Sequence, residues 1–540
     1  MISKVVACPE PPAAAVGVHV YERGGTALEA AVAAAFAQGV TLPLGCGLAG
    51  MAHILLARRT WPTPRFFNAS VAVGSGGHPR VFEDAFVGRS ERAGRFLVRG
   101  DQNQVGYRSI MVPGFVRGMD TVFRLAGGRI PWASLVGPAA ALARDGFPVY
   151  PYLERYYTFE GADRPGYPDV VRKLAGDAGA RARYLPEGRP PRAGETLRQP
   201  EYGRTLERVA SGGAEEFYRG NVGRTIAADL AAHDAFVTAE DLDHYEVQEA
   251  TPARTTFRDL VVYSSPPPGH GPVLLTMLNL VEPLDLGRMA WNGPDYVETV
   301  AWATRTAFAD CMPYLTDPRF ATVPLDWLLS KERVRDAPRE RAAEGRGADT
   351  GSDGHTTHVS SADADGDLAS ITHSIGSIAG AGVMTGALGF LYNNFLGHFN
   401  PLRGYHNSIE AGKRMGGCSP TIVYRSGAPW IAIGSSGGSR LVSAVFQTLL
   451  NVVLFGMSLA DAVASPRVHS EAGRKIYVEP ALAGRVADAL ARRGYEIEVT
   501  GYMGCNQAVE LTEQGLGAAS DPRGGVGIGW SEDAGAGPIR

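Results

Sequence analysis

Two hydrophobic patterns alternate along this chain. Long Ala-, Val- and Leu-rich stretches lack a polar face and read as helices buried on most sides. Shorter runs, apolar almost throughout or alternating with hydroxyl residues, read as strands covered on both faces. The first such helix opens at Gly24-Gly25-Thr26-Ala27-Leu28-Glu29, is Ala- and Val-rich through Phe36 and ends into Val40-Thr41-Leu42-Pro43. Thr26 is its expected N-cap, and Glu29 stands at the capping-box spacing. A glycine-rich turn over Gly45 to Gly50 and a short strand, His53 to Ala57, follow. The next helix starts at Val112-Pro113-Gly114, with Pro113 pre-set for its first turn, and another spans Pro131 to Gly146. Residues 150–200 are proline-rich and read as loop, and residues 201–235 read as helical. A β region is expected from Asp241 to Val262. Pro266 to Gly271 is a rigid turn, followed by helices over Val273 to Asn279 and residues 295–312.

The segment Lys331 to Gly354 interrupts this rhythm. It is rich in Arg, Glu, Gly and Asp without apolar period, and reads as a solvated connection. At Thr356 the pattern becomes strand (Val359 to Ala362), tight turn (Asp363 to Asp367) and strand (Leu368 to Ser374). Thr421 to Tyr424 and Trp430 to Ile433 read as a buried hairpin, and Gly434-Ser435-Ser436-Gly437-Gly438-Ser439-Arg440 leads into a long apolar helix, Leu441 to Phe455. No internal repeat is visible.

Composition adds exclusions. The 540 residues are 45% hydrophobic with a net charge of −4, which implies no bulk attraction to nucleic acid or an anionic membrane. No apolar run reaches the ~18 residues that cross a bilayer. The first residues hold one lysine and reach Pro9 without an apolar core, so no signal peptide is read there. Cys8, Cys46, Cys311, Cys418 and Cys505 are odd in number and widely spaced, the pattern of reduced thiols; a cytoplasmic location is expected.

Two stretches carry candidate chemistry. The first is Gly354-His355-Thr356-Thr357-His358, where a hydroxyl residue lies at the junction of a cuttable connection and a strand. Cleavage before Thr356 would free an α-amine with a pKa near ~8, able to deprotonate the adjacent hydroxyl. The second is Gly434 to Arg440, a glycine pair at a helix N-terminus, where backbone N–H groups and the helix dipole suit an oxyanion or phosphate. It lacks the Gly-Lys-Ser/Thr of a P-loop. His355 and His358 do not form a metal pair, since i, i+3 on a strand sends them to opposite faces and no ligand cluster surrounds them. No cofactor is expected. A Ser-His-Asp triad is not readable, because no Gly-x-Ser-x-Gly precedes a helix.

Taken together, the runs Gly24 to Ala31, Val112-Pro113-Gly114, Glu240-Asp241-Leu242, Pro266 to Gly269, Ala307 to Asp310, Thr356-Thr357-His358, Asn393-Asn394, Ser419-Pro420-Thr421, Gly434 to Arg440 and Ser520 to Arg523 resemble the γ-glutamyltranspeptidase family of N-terminal-nucleophile (Ntn) hydrolases in order and spacing. The resemblance implies an α+β fold, a four-layer αββα sandwich. It implies an inactive precursor that cuts itself between His355 and Thr356 into a large subunit, 1–355, and a small subunit, 356–540, which stay packed as one intertwined unit. Thr356 would be the nucleophile and its freed amine the base. Ser374 would hydrogen-bond the nucleophile, and Gly437 and Gly438 would form the oxyanion hole.

The family's polar clamp for the glutamyl head group is mostly missing. Asn68 stands where an arginine is expected, and Gly376 replaces an asparagine. After Asn394, Phe395 replaces glutamine and His398 replaces aspartate, while Gly416 and Gly417 replace a serine pair. Asn68, Asn394, Phe395, His398, Arg403, Tyr405, Gly416 and Gly417 are the expected pocket residues. A site built to hydrogen-bond a zwitterion loses ~10⁴–10⁵ of discrimination without its partners. The expected function is therefore cleavage of a small-molecule amide, or of a C–C bond next to a carbonyl, through a Thr356 acyl-enzyme in biosynthesis of an alkylproline-type antibiotic. Genuine γ-glutamyl hydrolysis or transfer, and a catalytically dead scaffold, are the alternatives.

Overall fold

The computed structural model describes residues 2–90, 96–158, 168–335, 356–532 and 535–536. Eight strands position the candidate site: β1 (Ile2–Cys8), β2 (Met51–Ala57), β3 (Arg65–Ala69), β4 (Thr357–Asp363), β5 (Leu368–Ser374), β6 (Thr421–Arg425), β7 (Ala428–Ser436) and β8 (Cys505–Thr512). An eight-stranded sheet runs, in spatial order, Gly535–Ala536, Gly527–Glu532, β1, β4, β5, β2, β3, Gln248–Ala250. A six-stranded sheet runs Ala253–Phe257, Leu260–Ser264, β6, β7, β8, Gly515–Ser520.

The alternation of side chains turns these strands into layers. Val5 and Ala7 of β1 pack between the sheets with Leu55, Phe66, Ile422, Tyr424 and Val509. Val6 and Cys8 face the other way, into helices α1 (Pro11–Glu22) and α2 (Ala27–Thr41). Val423, Ile431 and Ile433 face outward from the second sheet onto Gly271–Val281, Pro294–Cys311 and a further helix. Helix, sheet, sheet, helix is the αββα sandwich of the expected α+β class. The capping box forms as read: Thr26 accepts from the Glu29 N–H, and the Glu29 carboxylate accepts from the Thr26 N–H at 2.9 Å.

Local chemistry redraws several boundaries. Helix α2 spans Ala27–Thr41, carrying the expected helix on through Val40 and Thr41. Pro113 precedes the N-cap, Gly114, of α3 (Phe115–Ala126) and is not in its first turn. The 150–200 segment contains the short helices Pro151–Tyr156, Val170–Ala175 and Ala178–Tyr184, the last two capped by Asp169 and Asp177. Asp241 does not open a β region: with Thr238 it makes a second capping box for the helix Ala239–Asp243, and strand begins only at Gln248. Lys331–Arg335 is helical, and the rest of the charged connection, with His355, lies outside the described residues. All five cysteines are buried and unbridged. Among the described residues, no helix is long and apolar enough to cross a membrane.

Candidate active site

Strand register decides where Thr356 points. Between β4 and β5, Thr357 pairs with His373 and His358 with Thr372, so the next pair toward the edge is Thr356 with Ser374. Ser374 pairs in turn with Met51 of β2. Side chains alternate. Thr357 and Ser361 face the helices, donating to Glu10 at 2.8 Å and to the Ala27 carbonyl at 2.7 Å. Ser360 and Ser370 face the second sheet, donating at 3.0 Å to the carbonyls of Gln507 and Ile433. The period of two therefore puts Thr356 and Ser374 on the inter-sheet face, where both are buried. Along this face the strand pair passes from the apolar Ala362–Leu368 pair to a wholly polar end. His358 holds that end: its ring nitrogens meet Thr372 Oγ1 at 2.8 Å and Ser360 Oγ at 3.0 Å. Burial drives its pKa down to about 3, so the imidazole is neutral.

The glycine pair follows the end of β7 that meets this face. A Cβ on Gly434 would collide with His358 Cε1, and Ser370 donates to the Ile433 carbonyl, so β7 leaves the polar end of the face just before the turn. Gly416 packs on Met51 and Ser70, the row that contains Ser374. Gly437 and Gly438 have φ of 121° and 60°, a left-handed turn that L side chains resist. They lead into α4 (Arg440–Phe455), so the turn lies at the positive end of a helix dipole. Their carbonyls accept from Arg440 and Leu441 N–H, while their own N–H groups have no partner among the described residues. Two free N–H groups on a helix N-terminus, just beyond the strand end that meets this polar face, are the elements of an oxyanion hole.

The neighbouring wall differs from a polar clamp. A Cβ on Gly416 would fall 2.6 Å from Ser70 Oγ, 2.7 Å from Met51 Cε and 2.8 Å from His53 Nε2. A Cβ on Gly417 would fall 2.7 Å from the His270 ring. The space a serine pair would need is thus occupied by this chain's own side chains. Burial pushes His53 to about 3 and His270 to about 4, so both rings are neutral. Phe395 joins Met51, Phe399, Ile409 and Cys418 in one apolar cluster, with Met415 against it.

The remaining sequence-predicted residues fall into two groups. Asn68 lies on the inter-sheet face opposite His53, and its Oδ1 accepts from the Ser70 N–H at 3.0 Å. Asn394 is buried; its Oδ1 accepts from the Ser377 N–H and its amide donates to Gln104 and Ser377, so it braces loops. His398 meets the Phe395 ring at a tilt, with centroids 5.3 Å apart and planes at 31°. Arg403 and Tyr405 are not brought into this set: they lie on an exposed loop, where Arg403 pairs with Glu83 at 3.5 Å.

Sequence reasoning missed three residues. Tyr502 covers the glycine turn, with its ring 3.1 Å from where a Gly437 Cβ would sit and its hydroxyl 3.1 Å from Ser436 Oγ. Glu10 and Gln38 grip Thr357 from behind, at 2.8 Å each. A carboxylate directly before Pro11-Pro12 was the available signal for Glu10, since the prolines supply no N–H and the next one, on Ala13, goes to the Glu10 backbone carbonyl.

Comparison with known proteins agrees with this geometry. The gamma-glutamyltranspeptidase family model matches residues 13–530. The Acylase ACY 1 proenzyme of Pseudomonas sp. (strain V22) is 33% identical over 498 residues, covering 90% of this chain and 86% of the relative. The glutathione hydrolase proenzyme of Escherichia coli (strain K12) is 29% identical over 543 residues, covering 96% and 90%. The crystal structure of cephalosporin acylase from Bacillus halodurans superposes with a TM-score of 0.85 at 26% identity, covering 98% of this chain and 96% of that one. The chain belongs to the gamma-glutamyltranspeptidase family of Ntn hydrolases.

Proposed function

We propose that this protein is an acylase whose nucleophile is Thr356, freed by cleavage of the 355–356 peptide bond, and whose acyl group is apolar. Thr356 Oγ1 adds to the substrate carbonyl, and its own α-amine takes the hydroxyl proton. The N–H groups of Gly437 and Gly438 receive the oxyanion, and Ser374 orients the hydroxyl. The amine then returns the proton to the leaving nitrogen. Water attacks the acyl-enzyme by the same route, so that an amide and water give a carboxylic acid and an amine. A C–C bond next to a carbonyl would be attacked by the same addition.

One observation carries the specificity: the wall at Gly416 and Gly417 is closed by Met51, His53 and His270 and continues into Phe395 and Cys418. These neutral rings and apolar side chains supply no counter-charge to a glutamyl carboxylate or ammonium, and the guanidinium of the nearby buried Arg414 is already engaged by the Asn68 and Glu246 carbonyls. The acylase name of the Pseudomonas relative supports the same side. We place the activity in tailoring of an acylated secondary metabolite. The test is a paired assay with butyryl- and γ-glutamyl-p-nitroanilide. Faster release from the butyryl compound supports the reading, and faster release from the γ-glutamyl compound restores the glutathione-type alternative.

A further inference from the structure

Behind the nucleophile, on the helix side of β4, lies a buried polar cluster that the acylase mechanism does not use. Glu10 closes the extension of β1. Since Ala7 pairs with Ser360, the same register sets Glu10 beside Thr357, one residue from Thr356. Glu10 is the N-cap of α1, but Pro11 and Pro12 supply no N–H, and its carboxylate makes no capping bond. It turns inward instead. Glu10 Oε1 accepts from Thr357 Oγ1 at 2.8 Å, and Oε2 accepts from Gln38 Nε2 at 2.6 Å. Gln38 Nε2 also lies 2.8 Å from Thr357 Oγ1 and 3.2 Å from the His358 carbonyl. Gln38 Oε1 meets His373 Nε2 at 2.9 Å, and because that oxygen only accepts, His373 is the donor.

We propose that Glu10 is a positioning residue for the nucleophile: ionised, it holds Thr357 and the start of β4, and protonation loosens that hold. This rests on Thr356 being the nucleophile. The ionised carboxylate accepts from two donors on separate oxygens. Adding a proton to Oε1 forces Thr357 to turn its hydroxyl and accept. Thr357 then receives from both Glu10 and Gln38, and its own hydrogen has no place. The groups facing Glu10 are the thiols of Cys8, Cys46 and Cys505, the phenols of Tyr150 and Tyr156, and His373 beyond Gln38. Burial raises the thiols and phenols and lowers His373 to about 3, so all are uncharged near neutrality. Burial also lifts Glu10 to about 7, against which its bonds from Gln38 and Thr357 pull down. The charge that changes in this cluster near neutral pH is therefore that of Glu10.

The test compares wild type, Glu10→Gln and Glu10→Asp as full chains. Intact mass reports maturation and the rate at which an alkyl β-lactone acylates Thr356 between pH 5.5 and 9. Wild type should show two ionisations on the rising limb, one near 7 and one from the Thr356 amine. Glu10→Gln imitates the protonated state. At pH 8 it should label about tenfold more slowly, the loss expected for one hydrogen bond to a charged group, and keep only the amine ionisation. Its apparent affinity for the lactone should be unchanged, and Glu10→Asp should recover part of the rate and the lost ionisation. A Glu10→Gln protein that matures and labels with the wild-type rate and pH profile overturns the proposal. So does loss of its cooperative melting transition, which would make Glu10 a purely structural residue. If wild type itself neither matures nor labels, the Thr356 reading fails, and this proposal with it.

Discussion

At the residue scale, the molecule trades stability for a charged group behind the proposed nucleophile. Glu10 is fully buried, and its carboxyl is lifted from the ordinary 4.5 to about 7. A carboxyl whose folded pKa is raised contributes stability that is fully present below about 4.5 and is lost as the pH rises through about 7. That loss amounts to about 3 kcal/mol. Relative to Glu10→Gln, wild type should therefore lose stability between pH 5 and pH 8, as calorimetry of both proteins at the two pH values would read; the buried histidines, neutral in both, act equally on each. A second residue-scale prediction concerns the wall. Gly416→Ser places a Cβ within 2.8 Å of Ser70, Met51 and His53. It should destabilise by about 1–3 kcal/mol in a urea titration and leave γ-glutamyl-p-nitroanilide turnover no higher than wild type. Thr356 and the glycine pair were legible in the sequence because each stands at a change of local pattern. Glu10 was not, because its partners come from register between β1 and β4, strands hundreds of residues apart in sequence.

At the scale of elements, the turn over Gly437 and Gly438 joins backbone geometry to chemistry. Alanine at 438 must adopt a φ of 60° or turn the N–H away. Gly438→Ala should lower kcat by about 10²–10³, the effect of losing one oxyanion donor, with KM changed much less. Steady-state kinetics on butyryl-p-nitroanilide would measure it. The capping box on α2 is independent of the site: Thr26→Ala should cost about 1 kcal/mol in denaturant unfolding without changing turnover. Elements defined by their own residues were read correctly, including α2 and the β4–β5 pair. The helix at Ala239–Asp243 was misread because one Thr-to-Asp capping box outweighed an apparent strand pattern. Order along the chain groups Asn394, Arg403 and Tyr405 but carries no information about where a side chain points: Asn394 braces loops, and Arg403 and Tyr405 are exposed.

At the scale of the whole molecule, the two sides of the 355–356 bond are interleaved. In the larger sheet β1 lies between Gly527–Glu532 and β4, while β5 lies against β2. The smaller sheet joins Leu260–Ser264 to β6. A cut before Thr356 would leave strands of each piece hydrogen-bonded inside sheets of the other, and both helix layers packed across them. The cleaved protein should elute as one species in size-exclusion chromatography and come apart only in denaturant. The layered class was legible from strands without a polar face; the order of strands was not, since local pattern does not choose partners.

The central claim is that Thr356 becomes a chain terminus and carries the acyl group. Intact-mass analysis of purified protein before and after incubation with an apolar p-nitroanilide tests it most directly. The account predicts two fragments, the smaller beginning Thr356-Thr357-His358, with the acyl mass appearing on that fragment at its first residue; Thr356→Ala should stay one chain of 540 residues and take up nothing. A wild-type protein that remains a single uncut chain yet hydrolyses the substrate, or one that is acylated at another residue, would contradict it.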